Sequence, residues 1–410
     1  MNLNPGELMA AVSYMVDIVP EGCHFHSWKV GLAAERIAAE LDPNLRRDVF
    51  YGGLLADIGA VGAAKHVIQY PSRRDQLQDA QIRRHPQRSS AFLDWLPGMK
   101  NASKYVRAHH EWWDGRGYPD GKSGSDIPLG AQIIGVADAA EVGGCFSFNN
   151  DLRHCLHAIV GLAGKAWSSD VVAALVGLTK DVHFYREMMD SAALPAAVSR
   201  KVAELEVPSE LNNEVGVERV LHVVAALVDV RDPSTSGHSL RTARYAKALA
   251  ETMGLSDEEI ELAYYAGMVH DSGRLGLPTS ILMKPERLSD KEMTLVRKHA
   301  RMTIRIFNCL PDHPEMAALG EVAGHDHERW DGNGYPDGLK GEDIPLISRI
   351  ISAVDAFDAM ISATNYRLLS PKCAVMRLQQ GAGSQFDPKV VEAMTAAAQA
   401  GVFGLIGLAA

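Results

Sequence analysis

Residues 327–338 read His-Glu-Arg-Trp-Asp-Gly-Asn-Gly-Tyr-Pro-Asp-Gly, and residues 110–121 read His-Glu-Trp-Trp-Asp-Gly-Arg-Gly-Tyr-Pro-Asp-Gly, an offset of 217. The two stretches differ only at their third and seventh positions, so the chain carries an internal repeat. Working outward, other pairs keep the same order and nearly the same spacing. His26-Ser27 answers His238-Ser239, Leu55 to Gly59 answers Val269 to Gly273, and Arg84-His85 answers Lys298-His299, with offsets of 212, 214 and 214. Ala137-Asp138-Ala139 answers Val354-Asp355-Ala356 at 217, and Trp167 to Val172 answers Phe386 to Val391 at 219. A drift of a few residues is what short loop insertions produce.

The copies run from about 20 to 185 and about 232 to 405, which places a first domain at 1–205 and a second at 206–410. Between them Arg200 to Val230 reads as helix, because Val217, Val220, Leu221, Val224 and Leu227 recur on one helical face. In the second copy, Ser256-Asp257-Glu258-Glu259 and Ser289-Asp290-Lys291-Glu292 have the form of capping boxes. They predict helices reaching about His270 and about Asn308. Another helix should follow Pro345, since Ile347, Ile350, Ile351, Val354, Phe357 and Ile361 make one apolar stripe. Period-two alternation is scarce, so the fold is expected to be all-α: two tandem helical bundles joined by a connecting helix. The exception is a loop over Asp331 to Pro345, where glycines and prolines stop helix continuation.

Composition narrows the function. The 410 residues include 41 basic and 51 acidic side chains, a net charge of −10, which disfavours a nonspecific grip on DNA or RNA polymers. A small anion held by a metal or local cations stays open. Five scattered cysteines without C-x-x-C spacing read as reduced thiols in a cytoplasmic protein. No basic-then-apolar leader and no long apolar window suggests a membrane segment. The apolar tail Gly401 to Ala410 is expected to cap a core or a subunit contact.

His270-Asp271 ends a mostly apolar helix, where an imidazole beside a carboxylate is costly unless paired or metal-bound. Asp355 raises the same problem on its own apolar stripe. With His238, His299, Asp326 and His327 they make seven nitrogen and oxygen donors, a set suited to Mn, Fe, Ni or Zn rather than Ca or a thiolate-held metal. Taken singly, each residue has a plainer reading: a structural His–Asp hydrogen bond, a surface histidine, a solvated loop carboxylate. Tyr335 and its glycines could only shape a turn, and Trp112, Trp113 and Trp330 read as packing beneath the loop rather than as base-stacking platforms.

Together these residues resemble the HD-GYP family of HD phosphohydrolases. His270-Asp271-Ser272-Gly273 carries the HD motif, Asp326 to Pro336 the signature loop, and Ile344-Pro345 to Asp358 the closing helix. The resemblance implies a bundle holding two divalent ions (Mn, Fe or Ni, with Zn or Mg as further choices), His238, His270 and Asp355 at one, His299, Asp326 and His327 at the other, and Asp271 at both. It implies a metal-activated water attacking a phosphodiester, with cyclic di-GMP cut to pGpG or GMP. By the same resemblance Asp271 and Arg274 are catalytic, and Arg349, Tyr335, Tyr366 and Arg367 meet substrate. The partners implied are a cyclic dinucleotide, a GGDEF-domain protein met through the Gly-Tyr-Pro loop, and a second copy of the chain. Alternative readings are a phosphodiesterase selective for 3',3'-cyclic GMP-AMP, and a silent adaptor that binds nucleotide or a GGDEF domain.

The chain departs from the family pattern in four places. Arg274 replaces the usual Lys, keeping a cation that does not readily release a proton. Asp326 replaces a His ligand, with His325 just before it; Ser234 stands where members with a third metal have Glu; and Thr364-Asn365-Tyr366-Arg367 replaces Arg-Pro-Tyr-Arg. The first copy keeps His26, Asp57, His85, His109, His110 and Asp138 but has Ala56 for the HD histidine and Ala60 for the cation. That loss points to a regulatory or dimer-stabilising domain ahead of a second active site or a ligand-binding pseudoenzyme.

Overall fold

Two serines start the helices that carry much of the second copy's site. Ser256 and Ser289 each accept from the backbone N–H three residues on, while Glu259 and Glu292 reach back to the serine N–H, so both boxes are closed. The computed structural model describes residues 1–20, 22–63, 67–70, 78–147, 151–232, 236–362 and 368–403. It divides into two compact units, one of Asn4–Val220 with Cys309–Pro311, the other of Met1–Leu3, Leu221–Asn308 and Asp312–Ala410.

The first unit's main helices are α1 (Pro5–Asp17), α2 (His26–Leu41), α3 (Arg46–Leu54), α4 (His85–Leu93), α5 (Lys100–Ala108), α6 (Leu129–Val142), α7 (Leu152–Val160), α8 (Ser169–Leu178), α9 (Val182–Met189) and α10 (Leu194–Glu204). Helix α11 (Glu214–Arg231) spans the division. The second unit continues with α12 (His238–Thr252), α13 (Asp257–Val269), α14 (Asp290–Phe307), α15 (Pro314–Gly324), α16 (Leu346–Ser362), α17 (Pro371–Gly381) and α18 (Pro388–Gln399). Among the described residues the only strands are β1 (Ile18–Val19) and β2 (Gly22–Cys23), an antiparallel pair with Val19 opposite Gly22. The fold is all-α, as the sequence patterning requires.

In the second unit α13 packs on α12 and α16, and α14 packs on α15 and on the tight turn Ser272–Gly276. The α16 stripe closes the core: Ile347, Ile350, Ile351, Val354 and Phe357 are all buried. Phe403 joins it, 5.5 Å from the ring of Tyr245 and 5.3 Å from that of Phe357. The rest of the apolar tail lies outside the described residues.

One expectation is corrected. Arg200 to Val230 is not continuous helix: α10 ends at Glu204 and α11 begins at Glu214. Pro208 has no N–H to give an α-helical ladder, and Ser209 to Asn213 turn back on it through Leu211 N–H and Asn212 N–H donating to the Pro208 carbonyl. The five apolar residues from Val217 to Leu227 that marked the helical face are buried in α11.

Candidate metal centre

Helix ends deliver most of the donors of the second copy. His238 opens α12, His270-Asp271 follows the last turn of α13, and Asp326-His327 follows α15. His299 lies within α14 and Asp355 within α16. The turn after Asp271 is set by a close approach: a Cβ on Gly273 would lie 2.0 Å from the His299 carbonyl oxygen, so only glycine fits there. Thr303 fastens the same contact, accepting from Gly273 N–H and donating to the His270 carbonyl.

All seven predicted donors converge. His238, His270 and Asp355 offer ligand atoms within 4.8 Å of one another, as do Asp271, His299 and His327, and again Asp326, His327 and Asp355. Asp271 stands between: its Oδ2 lies 4.0 Å from His238 Nε2 and 3.6 Å from His270 Nε2, its Oδ1 3.7 Å from His299 Nε2. Asp355 belongs to two of these groups, so it faces both sets of donors rather than one.

The imidazoles are oriented from behind. His270 and His299 donate Nδ1–H to the carbonyls of Gly267 and Val296 at 2.9 and 2.7 Å, which leaves each Nε2 lone pair facing inward. His238 Nδ1 is held at 2.7 Å by Asp358, itself clamped by Arg241. His327 Nε2 and His299 Nε2 face each other at 3.0 Å. His270 Nε2 and both carboxylate oxygens of Asp271 and Asp326 have no hydrogen-bond partner among the described residues. Five such buried atoms at one point would cost about 1–3 kcal/mol each. Inward lone pairs with mixed nitrogen and oxygen chemistry therefore fit divalent cations.

Electrostatics agree. Burial raises the Asp271 carboxyl, but the Arg274 charge and three imidazoles outweigh it and hold it well below the usual carboxylate range. Burial, then the facing His327, pushes His299 down to about 3, so its lone pair is available. Burial, partly relieved by His270 and reinforced by Asp355 and Asp271, pushes Asp326 up to about 8. Burial lowers His238, yet its bonds to Asp355 and Asp358 carry it to about 10; a cation at Nε2 would take that proton's place.

Arg274 is half-buried beside this cluster, Nε 2.8 Å from Asp271 Oδ1 without hydrogen-bond alignment and Nη1 3.6 Å from Asp232. Tyr335 stacks on His327, ring centroids 4.9 Å apart, and lines a cavity of about 270 Å³ together with Asp355, His327, Arg297 and Arg329. Arg349 has another partner: it pairs with buried Asp387 at 2.6 Å, lies over Trp330, and is absent from that cavity's lining. Arg297 does border that cavity, over the Tyr335 ring at 5.3 Å. Thr364, Tyr366, Arg367 and Ser234 lie outside the described residues. His325 is turned away to Asp337 at 2.9 Å. Sequence reasoning passed over Asp358, Arg241, Asp232 and Arg297; Asp358 one helical turn after Asp355, and Arg241 one turn after His238, were the available signals.

An all-helical unit whose buried imidazoles and carboxylates gather round one aspartate defines a class, that of helical bundles with a candidate divalent-metal centre. The chain belongs to the HD-domain family, whose model matches residues 11–141 and 222–390, once in each unit. A cyclic di-GMP phosphodiesterase of Vibrio cholerae is 39% identical over 199 residues, covering 45% of this chain and 40% of the relative. A 3'3'-cGAMP-specific phosphodiesterase of the same organism is 28% identical over 290 residues, 70% of this chain and 61% of the relative. A cyclic di-GMP phosphodiesterase of Thermotoga maritima is 35% identical over 175 residues, 42% of this chain and 47% of the relative. The chain thus spans between 40% and 61% of the length of these relatives. The crystal structure of a cyclic GMP-AMP specific phosphodiesterase of V. cholerae shares the fold, with a TM-score of 0.68 at 21% identity over 96% of this chain and 97% of that one. No helix among the described residues is long and apolar enough to cross a membrane.

Proposed function

We propose that the second copy is a metal-dependent phosphodiesterase that opens a cyclic dinucleotide, cyclic di-GMP to pGpG or GMP, with two divalent ions held by His238, His270, Asp355, His299, Asp326, His327 and the central Asp271. The observation that carries this is the two-sided Asp271 carboxylate, each oxygen facing its own imidazoles. Bound ions would supply an acidified water and offset charge at phosphorus. The chain's own groups do the rest. Arg274 holds the Asp271 carboxylate ionised and in place. Arg297, stacked on Tyr335, and Arg329 bring two guanidinium groups to the cavity beside Asp355, where phosphate oxygens would lie. Glu328 accepts from Asp337 N–H and Gly338 N–H and so fixes the loop that carries Tyr335. The five cysteines, all free, support action in a reducing cytoplasm, and the half-buried Gly-Tyr-Pro loop is the surface we assign to a GGDEF-domain partner.

A second reading, selectivity for 3',3'-cyclic GMP-AMP, is favoured by the relative so named, which aligns over 70% of this chain. Purified full-length protein loaded with Mn or Fe, given each dinucleotide and followed by product chromatography, separates the two. Turnover of either, lost in Asp271→Ala, supports hydrolysis at this site and reports the preferred base. Equal inertness of wild type and variant under every metal, with nucleotide still bound, would make the protein an adaptor.

A further inference from the structure

The first copy keeps every donor of the family's set on one side of its central aspartate and has lost one on the other, and the two halves have met different fates. Ala56 and Ala60 stand where the second copy has His270 and Arg274. In the depleted half, His26 Nε2 closes directly on Asp57 Oδ2 at 3.0 Å and lies 3.4 Å from Asp138 Oδ1. These three groups lie close enough to hold an ion, but the imidazole already contacts both carboxylates and the histidine that would join them is Ala56.

The retained half is different. His85, His109 and His110 are 1%, 3% and 6% exposed, and offer ring nitrogens that all lie within 4.8 Å of one another. His85 Nδ1 and His109 Nδ1 sit 2.6 and 2.5 Å from the carbonyls of Ile82 and Val106, so each ring carries its hydrogen there. Their Nε2 atoms consequently face each other at 3.2 Å, two lone pairs pointing at one spot, with Asp57 Oδ1 3.1 Å from His85 Nε2. Neutral imidazoles so oriented repel; a shared proton or a cation resolves the conflict. A third imidazole on the same spot favours the cation, because a single proton serves only one pair. The tilted Tyr118 ring, 5.0 Å from His110, flanks the cluster, and Glu111 ties the following loop through Asp120 N–H and Lys122 N–H.

We infer that the first copy holds one divalent transition-metal ion on His85, His109 and His110, with Asp57 completing the set. Three imidazoles select a borderline ion such as Zn, Fe, Co or Ni over Mg or Ca. The donors are more deeply buried than in the second copy, where the His327 and Asp355 side chains are 21% and 23% exposed. The ion is therefore structural: it pins the first turn of α4 to the end of α5 and to the Gly-Tyr-Pro loop behind it, and leaves no open position for substrate.

This is independent of hydrolysis by the second copy and is tested on the full-length protein by metal content rather than by activity. Elemental analysis of wild type and His109→Gln, both dialysed against metal-free buffer, should differ by about one equivalent per chain, with the variant losing thermal stability. Equal metal content in two folded proteins overturns the inference. Should His109→Gln not fold, Co(II) titration of a variant that removes donors from both second-copy sites, His270→Ala, Asp271→Ala, His299→Ala and His327→Ala, decides. A visible ligand-field spectrum saturating near one equivalent supports the site, and no spectrum overturns it; dinucleotide turnover enters neither result.

Discussion

A single aspartate organises the second copy's centre, but the residue that makes His238 a usable donor is Asp358. Burial raises the Asp358 carboxyl, and the bonds from His238 and the Arg241 guanidinium outweigh it, so it stays ionised and orients the ring. Removing such an outer partner costs about 10–100-fold in metal affinity. We expect Asp358→Ala to weaken metal retention by that factor in competition with a chelator, with far-UV circular dichroism unchanged; undiminished affinity would show that His238 is not oriented this way. His325 gives a pH prediction. Burial lowers it, but its contact with Asp337 and the Glu321 carbonyl raise it above its ordinary value. A raised folded-state value means the stabilisation is full below the unfolded-state value and disappears as pH climbs through the folded one. His325→Gln should thus lower the melting temperature more at about pH 6 than at about pH 9. A penalty that grows with pH would contradict the assignment.

At the scale of elements, two copies of one device set the site. The glycine after the HD aspartate lets the turn lie against the helix that bears the next ligand: a Cβ on Gly59 would meet the His85 carbonyl at 2.5 Å, one on Gly273 the His299 carbonyl at 2.0 Å. Gly273→Ala must push α14 away or open the turn, and either moves His299 from Asp271. Turnover and metal content should fall together while helix content holds; full metal binding in the variant would mean the contact relaxes without consequence. The Ser289 capping box is a local matter. Ser289→Ala should cost about 1 kcal/mol of stability without altering metal binding, measured by denaturant unfolding.

Across the whole molecule, the chain matches the HD domain twice, and the two copies differ at their centres. The second copy has a half-buried arginine against its central carboxylate and a cavity beside its candidate donors. In the first copy the corresponding carboxylate meets two imidazoles instead, His26 and His85. Under the proposed division of labour, Asp271→Ala abolishes dinucleotide turnover, whereas Asp57→Ala changes it less than about tenfold. Parallel assays of the two variants check this, and equal losses would mean that both copies do chemistry.

The amino-acid order alone determined the repeat, the all-helical class, both capping boxes and the donor types, because periodicity, caps and motif spacing are local properties that burial reinforces rather than reverses. It also picked out the seven side chains that converge in the second copy, since each sits in a stretch that has a counterpart in the other copy or lies beside one. Folding decided what distance along the chain conceals: that Asp355 faces both donor sets, that Arg297 rather than Arg349 borders the cavity, that His325 turns to Asp337, and that α10 and α11 are separate helices. Each of these depends on which groups from remote segments compete for one side chain. Arg349 is claimed by Asp387 across 38 residues and His238 by Asp358 across 120, and no local pattern encodes such a choice.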